Sequence, residues 1–205
     1  MTTTKTHWEG VYHTKSPKEV SWFQEHSEVS LDLIKRMEIN KNAHIIDIGG
    51  GASTLVDDLL LDGFHHLTVL DISAAALYTA QQRLGTRGSQ VEWLEADITR
   101  VHLPPSRYDV WHDRAVFHFL TDAEDRASYV STVRAAVKPG GHVVVATFGP
   151  EGPLRCSGLE VVRYSPDSLH GEFGAAFELV EHTSERHHTP FGTEQQFIYC
   201  YCRKP

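Results

Sequence analysis

Short apolar runs alternate with amphipathic stretches through the middle of this chain. His44–Ile48 (HIIDI), Leu67–Leu70, Val91–Leu94, Tyr108–Trp111 and Val143–Thr147 are brief and rich in β-branched or aromatic residues, the pattern of strands buried on both faces of a parallel sheet. After the first run, Leu55, Val56, Leu59 and Leu60 recur at helical spacing, and Gly63 stands where a C-terminal cap belongs. Ser73 is placed to cap a second helix carrying Leu77, Ala80 and Leu84, closed by Gly85. Thr121 and Glu124 have capping-box spacing ahead of Val130, Val133 and Val137, and Pro139-Gly140-Gly141 is expected to end that helix. Strands alternating with helices predict βαβ units and a parallel sheet.

The two ends depart from this rhythm. Residues 1–40 read as largely helical, with Ser16-Pro17 as a cap and first helical position, and they carry Trp8, Tyr12, Trp22 and Phe23. Near the other terminus, Phe177–Glu181 and Gln196–Cys202 read as two strands. The His/Thr/Pro/Gly-rich segment between them is too short for a crossover helix, so an antiparallel pair is expected. The outline is one α/β domain over residues 1–205, with a helical lid at 1–40 and a core at 41–205.

Composition narrows the function classes. The 205 residues are 40% hydrophobic, enough for one sizeable core. Nineteen Lys+Arg against 27 Asp+Glu leave a net charge of −8, which argues against a nucleic-acid partner because phosphate backbones require a basic face. The polar start Met1–Thr6 has no signal-peptide core, and no apolar run reaches the ~18 residues of a spanning helix, so no membrane contact is expected. The odd set Cys156, Cys200 and Cys202 fits a reducing, cytoplasmic setting. Cys200 and Cys202 share a strand face, and buried inert thiols are the expected reading beside the alternative of a soft bound centre. The histidine pairs His65-His66 and His187-His188 lack ligand spacing and read as solvated loop residues, so no metal is expected.

Candidate chemistry gathers at the strand ends. Asp47-Ile48-Gly49-Gly50-Gly51-Ala52-Ser53 joins a strand to a helix, and its glycines allow a tight turn with close backbone approach to a ligand. Asp71, 24 residues after Asp47, ends the second strand, where a carboxylate can accept from both hydroxyls of a ribose. Asp97 follows the third strand and Asp113 the fourth. Ligands bind at this edge of open α/β sheets, and buried acids there cost stability unless partnered.

With these residues in place, the chain resembles the class I S-adenosylmethionine-dependent methyltransferases over roughly residues 40–205. The loop is of their D-x-G-x-G-x-[ST] kind, and Lys138-Pro139-Gly140-Gly141 precedes the fifth strand as it does in them. The resemblance implies a Rossmann-like fold: a mostly parallel seven-stranded sheet with a C-terminal antiparallel hairpin. It implies S-adenosylmethionine as cofactor. Gly49 and Gly51 would flank its amino-acid end, Asp71 would take the ribose hydroxyls with Ile72 against the adenine, and Asp97 would receive the adenine amino group beside Ile98. Asp47, Asp113 and Arg114 complete the expected cofactor-binding set. The lead-in His7-Trp8-Glu9-Gly10-Val11-Tyr12 with Ser21-Trp22-Phe23 is similar to that of a subgroup holding thiopurine/thiol-type and lysine methyltransferases, whose aromatic residues lie over the cofactor. Trp8, Tyr12 and Trp22 would do so here; the same spacing equally suits aromatics packing a cap onto the sheet.

The fourth strand departs from the lysine-methylating pattern E-[KR]-G-T-x-D-A-L. Here it reads His112-Asp113-Arg114-Ala115-Val116-Phe117-His118-Phe119-Leu120, without the Gly-Thr or the later Asp. That favours a small acceptor, a thiol or related chalcogen compound, with protein lysine as the alternative. His118 is the candidate general base, or else a packed histidine. An NAD(P)-binding oxidoreductase is the rival of another class, opposed by Thr54 in place of a third glycine and by the terminal hairpin. A cofactor-binding protein without turnover is the other rival, and the oligomer is expected to be a monomer or homodimer.

Overall fold

The computed structural model describes residues 3–205, with side chains from Thr4 onward. Its sheet contains β1 (His44–Ile48), β2 (His66–Asp71), β3 (Val91–Glu95), β4 (Tyr108–Arg114) and β5 (Val137–Phe148), completed by β8 (Glu178–His188) and β9 (Glu194–Arg203). The strand order is β3-β2-β1-β4-β5-β9-β8. Pairing is parallel from β3 to β5, while β9 runs antiparallel to both β5 and β8. The expected α/β fold, a mostly parallel sheet with a terminal antiparallel pair, is the observed one.

Period-two alternation sends successive side chains to opposite faces. Ile46, Ile48, Trp111, Val143 and Val145 pack on one face beneath α5 (Ala123–Ala136) and α6 (Pro166–Phe173), through Tyr129, Val133, Leu169 and Phe173. Ile45, Leu67, Val69 and Val110 pack on the other beneath α3 (Leu55–Leu61) and α4 (Ala74–Leu84). The strands are therefore apolar almost throughout, as the sequence runs require.

The N-terminal segment supplies α1 (Thr3–Thr14), a single 3-10 turn at Pro17–Glu19 and α2 (Glu28–Arg36), with irregular chain from 20 to 27. Ser16 and Glu19 form a reciprocal cap, the Ser16 amide donating to Glu19 Oε2 at 2.9 Å. A two-stranded ribbon, β6 (Arg155–Cys156) and β7 (Leu159–Glu160), follows β5.

Three sequence expectations require correction. The cap of α5 is Asp122, not Thr121: its carboxylate accepts from the Glu124 amide at 2.8 Å from an extended backbone. That helix ends at Ala136 and β5 begins at once with Val137, so Pro139-Gly140-Gly141 lies within the strand's span. The chain's C-terminus pins this stretch, with Gly140 N donating to Lys204 O at 2.8 Å and Lys204 N donating to Gly141 O at 2.9 Å. Finally, β8 extends to His188, well past Glu181, so the second histidine pair is in a strand and His187 is buried. An edge strand with one solvated face has no apolar run to announce it. Among the described residues no helix is long and apolar enough to cross a membrane.

Candidate active site

The glycine turn after β1 is shaped by backbone that a side chain would obstruct. Gly49 has φ +64°, and a Cβ there would collide with the Val116 side chain. Gly51 has φ +33°, and its Cβ would lie 2.6 Å from Asp71 Oδ2. Glycine at both positions lets the loop pass against the β2 carboxylate and the β4 tip. The Gly49 amide donates to Leu70 O at 2.7 Å, locking the turn to β2.

Above this turn lies a cavity of about 180 Å³. Its walls include Gly49, Asp71, Ile72, Asp97 and Ile98 from the tips of β1, β2 and β3. Arg114, Ala115, Val116 and Phe119 come from the tip of β4, and Trp8, Tyr12 and Trp22 from the N-terminal segment. A smaller cavity beside it shares Tyr12, Trp22, Gly49 and Arg114 and reaches Asp47, Gly50 and His112. Trp8 stands edge-on to both Trp22 (5.7 Å between centroids) and Phe119 (5.0 Å), so the lid aromatics and the β4 tip form one cluster.

Each acid has a distinct environment. Asp71 is buried, with Oδ1 accepting from the Ser73 amide at 2.8 Å. Burial, with Asp47 and Glu9 nearby, pushes its carboxyl up to about 7. Asp97 Oδ1 accepts from the Thr99 amide (3.0 Å) and hydroxyl (2.7 Å), which aim it along the cavity wall. Asp47 accepts from His112 Nδ1 at 2.7 Å, and the Ser30 hydroxyl of α2 stands 2.8 Å from the other ring nitrogen. This buried chain ties β1, β4 and α2 together directly under the glycine turn.

Three expected site residues, Gly51, Asp113 and His118, line neither cavity, and Asp47 lines only the smaller one. Asp113 is fully buried on the opposite side of β4, where its Oδ1 accepts from the Val116 amide (2.9 Å) and its Oδ2 from the Tyr129 hydroxyl (2.6 Å). Tyr129 in turn accepts from Trp111 Nε1 at 2.9 Å. Desolvation pushes Asp113 up to about 6. His118 is also fully buried: its Nδ1 accepts from the Phe148 amide at 3.2 Å, and its ring lies 4.5 Å from those of Phe119 and Phe148. Burial, assisted by Arg114, lowers it to about 3, so it stays neutral, and it lines neither cavity. The placement corrects the expectation that it adjoins the acceptor.

A profile described as a methyltransferase domain matches residues 46–143, from within β1 into β5. The chain is 28% identical over 158 residues to the EEF1A lysine methyltransferase 2 of Danio rerio, covering 70% of this chain and 68% of that protein. It is 30% identical over 131 residues to the malonyl-[acyl-carrier protein] O-methyltransferase of Paenibacillus sp. (strain JDR-2), covering 60% of this chain. The chain carries a methyltransferase domain. It spans about half the length of the Paenibacillus relative, 46%. Among solved structures, the N-methyltransferase NodS from Bradyrhizobium japonicum WM9, in complex with S-adenosyl-L-homocysteine, shares the fold with a TM-score of 0.72 at 17% identity, covering 96% of this chain and 98% of that one.

The family's cofactor is S-adenosylmethionine, and the cavity fits such a group: glycines where side chains would clash, a buried carboxylate at the β2 tip, and an apolar aromatic roof. The methyltransferase-domain match displaces the nicotinamide alternative. Sequence reading missed Ala115, whose φ of +77° is held by its amide donating to Ala146 O at 2.9 Å. A non-glycine residue in that region stores strain at the cavity wall, and nothing in the sequence marks it. It also missed Glu9, which accepts from the Ala74 (2.7 Å) and Ala75 (3.2 Å) amides and so docks α1 on the start of α4, beside Asp71.

Proposed function

We propose that the chain transfers a methyl group from S-adenosylmethionine to a small, soft nucleophile, a thiol or related chalcogen compound. The observation that carries the reading is the larger cavity, which joins Gly49 and the strand-tip acids Asp71 and Asp97 to an aromatic roof. When bound, S-adenosylmethionine supplies an electrophilic methyl group on a sulfonium sulfur. Asp71 would accept from the ribose hydroxyls, Asp97 from the adenine amino group, and Ile72 and Ile98 would hold the adenine faces. Gly49 and Gly51 would leave room for the amino-acid end, with Asp47 below it, braced by His112. Trp8, Tyr12 and Trp22 would keep water out, which strengthens every polar interaction inside. Arg114 would serve from the cavity wall and Asp113 from behind it.

A soft acceptor is supported by what faces the cavity. His118 is sealed away and neutral, and burial raises the Tyr12 phenol well above its ordinary range. Apart from Asp71 and Asp97, assigned here to the cofactor, Asp125 is the one carboxylate among the described lining residues, which include no histidine. A thiol ionises by itself and needs no general base, because the thiolate is the attacking form. The mainly apolar roof suits a small molecule better than a solvated ammonium. The buried free thiols Cys156, Cys200 and Cys202 support a reducing, cytoplasmic setting.

Protein lysine is the second reading, favoured by the similarity to a lysine methyltransferase and by the net charge of −8, which attracts basic surfaces. The test is incubation with S-adenosylmethionine and a panel of small thiols and lysine-bearing proteins, with products read by mass spectrometry. A methylated thiol formed at a rate that rises through the acceptor's own pKa is expected. Methylated lysine with no product from any thiol overturns the assignment.

A further inference from the structure

Arg114 lines the cavity, yet three of the five N–H donors of its guanidinium are given to protein acceptors. Nη1 donates to the Trp22 carbonyl at 3.1 Å, Nε to the Tyr199 hydroxyl at 3.0 Å, and Nη2 to Glu185 Oε2 at 3.4 Å. Its plane also lies 4.2 Å over the Phe197 ring. The Tyr199 hydroxyl donates to the same Glu185 oxygen at 2.7 Å, and Gln24 Nε2 donates to the other. Two positions along β8, His187 Nε2 donates to the Ser21 carbonyl at 2.7 Å. The Arg114 and Glu185 side chains are only 8% and 10% exposed, so the pair is desolvated and its hydrogen bonds are directional and strong.

Three of these bonds, Arg114 to Trp22, Gln24 to Glu185 and His187 to Ser21, reach the segment Ser21 to Gln24, which belongs to no helix or strand, and the others tie the gripping side chains to one another. Such a segment has no backbone ladder to fix it, and its position is set by the groups that grip it. Among those four residues is Trp22, whose ring forms part of the cavity roof. We infer that Arg114 and Glu185 are positioning residues: with Tyr199 and His187 they pin the Ser21–Gln24 backbone to the β8–β9 hairpin and so hold the Trp22 indole over the cavity. Arg114 thus braces the roof from the cavity wall. The inference rests on the proposed cofactor site only for its consequence, not for the brace itself.

The grip can be broken at Glu185, which lines neither cavity and lies on the solvent-edge strand. In Glu185→Ala, Arg114, Tyr199 and Gln24 lose their common acceptor. Hydrogen exchange of the ligand-free full-length protein should then show the amides of residues 21–24 exchanging at least tenfold faster, with those of β1 and β2 unchanged. S-adenosylhomocysteine affinity should fall about tenfold or more, and KM for S-adenosylmethionine should rise more than kcat falls. Glu185→Gln keeps an acceptor oxygen and should recover part of each effect. Unchanged exchange in residues 21–24 overturns the brace. Faster exchange with unchanged ligand affinity overturns its link to the roof. Absence of S-adenosylhomocysteine binding in the wild type contradicts the cofactor reading instead, and the exchange result then decides the brace alone. If Glu185→Ala unfolds, Gln24→Ala and His187→Phe, which each remove one tether, provide the same exchange comparison.

Discussion

The floor and the roof of the cavity are built on different principles. The floor consists of residues at or beside the ends of β1, β2 and β3: Gly49, Asp71, Ile72 and Asp97. Each is placed by its own strand, and the parallel ladder fixes the strands relative to one another. The roof is carried by α1 and the irregular chain after it, and it is held by bonds between residues far apart in sequence: Glu9 to Ala74, Trp22 to Arg114, Ser21 to His187. A floor of this kind survives loss of any one side chain, whereas the roof depends on a few polar ties. Floor mutations should therefore act on folding and affinity together, roof mutations more on affinity and turnover than on folding.

The sharpest break is expected at Gly49→Ala. It places a Cβ against Val116 at φ +64°, combining left-handed backbone strain with overpacking, and should cost about 2–4 kcal/mol in urea unfolding. A variant unfolding like the wild type would mean that the turn rearranges freely. Next comes the wall behind the floor. Tyr129→Phe removes the hydroxyl donating to Asp113 and accepting from Trp111, and should cost about 1–3 kcal/mol. The roof follows: Glu9→Ala strips the carboxylate from the start of α4 and should cost about 0.5–2 kcal/mol, while S-adenosylhomocysteine affinity falls more than the stability loss alone explains. Equal effects on both would erase the distinction between roof and floor.

The dependence of stability on pH sets opposing groups against one another. Asp71 near 7 and Asp113 near 6 hold protons in the folded state that the unfolded chain releases near 4. Their contributions make stability fall as pH rises from about 4 to 7. His118 near 3 binds fewer protons folded than unfolded, so its contribution rises with pH from about 3 to 6.5. Asp71→Asn should tilt the ligand-free stability profile upward with pH, by at most about 1.4 kcal/mol per pH unit. An unaltered slope would place Asp71 in a better-solvated setting. In the wild type, ligand affinity should improve as pH rises through 7, since the ionised carboxylate is the better acceptor for ribose hydroxyls.

The same division governs what the sequence discloses. The floor is legible because a β-branched run followed by glycines or an aspartate is a local signal, and all five parallel strands carry such runs. The roof aromatics Trp8, Tyr12 and Trp22 are visible as residues, but their convergence depends on α1 docking through Glu9. Arg114 reads as a ligand-binding cation because it follows a strand; only the fold shows Trp22, Tyr199 and Glu185 around it. His118 reads as a base for the same reason, yet the 3-10 turn Phe117–Phe119 directs it into the core against Phe148. Edge strand β8 escaped in its second half because its exposed face is polar and its length is set by pairing with β9. Signals that act across the sheet leave no local pattern.

Calorimetric titration of S-adenosylhomocysteine into the wild type and Asp71→Ala, with NAD as competitor, bears most directly on the cavity as a cofactor site. The wild type should bind and NAD should not compete. Asp71→Ala should bind more weakly by about 1.5–3 kcal/mol, the range for losing charge-assisted hydrogen bonds. Absence of binding in the folded wild type, displacement by NAD, or equal affinity in the folded Asp71→Ala variant would contradict the account.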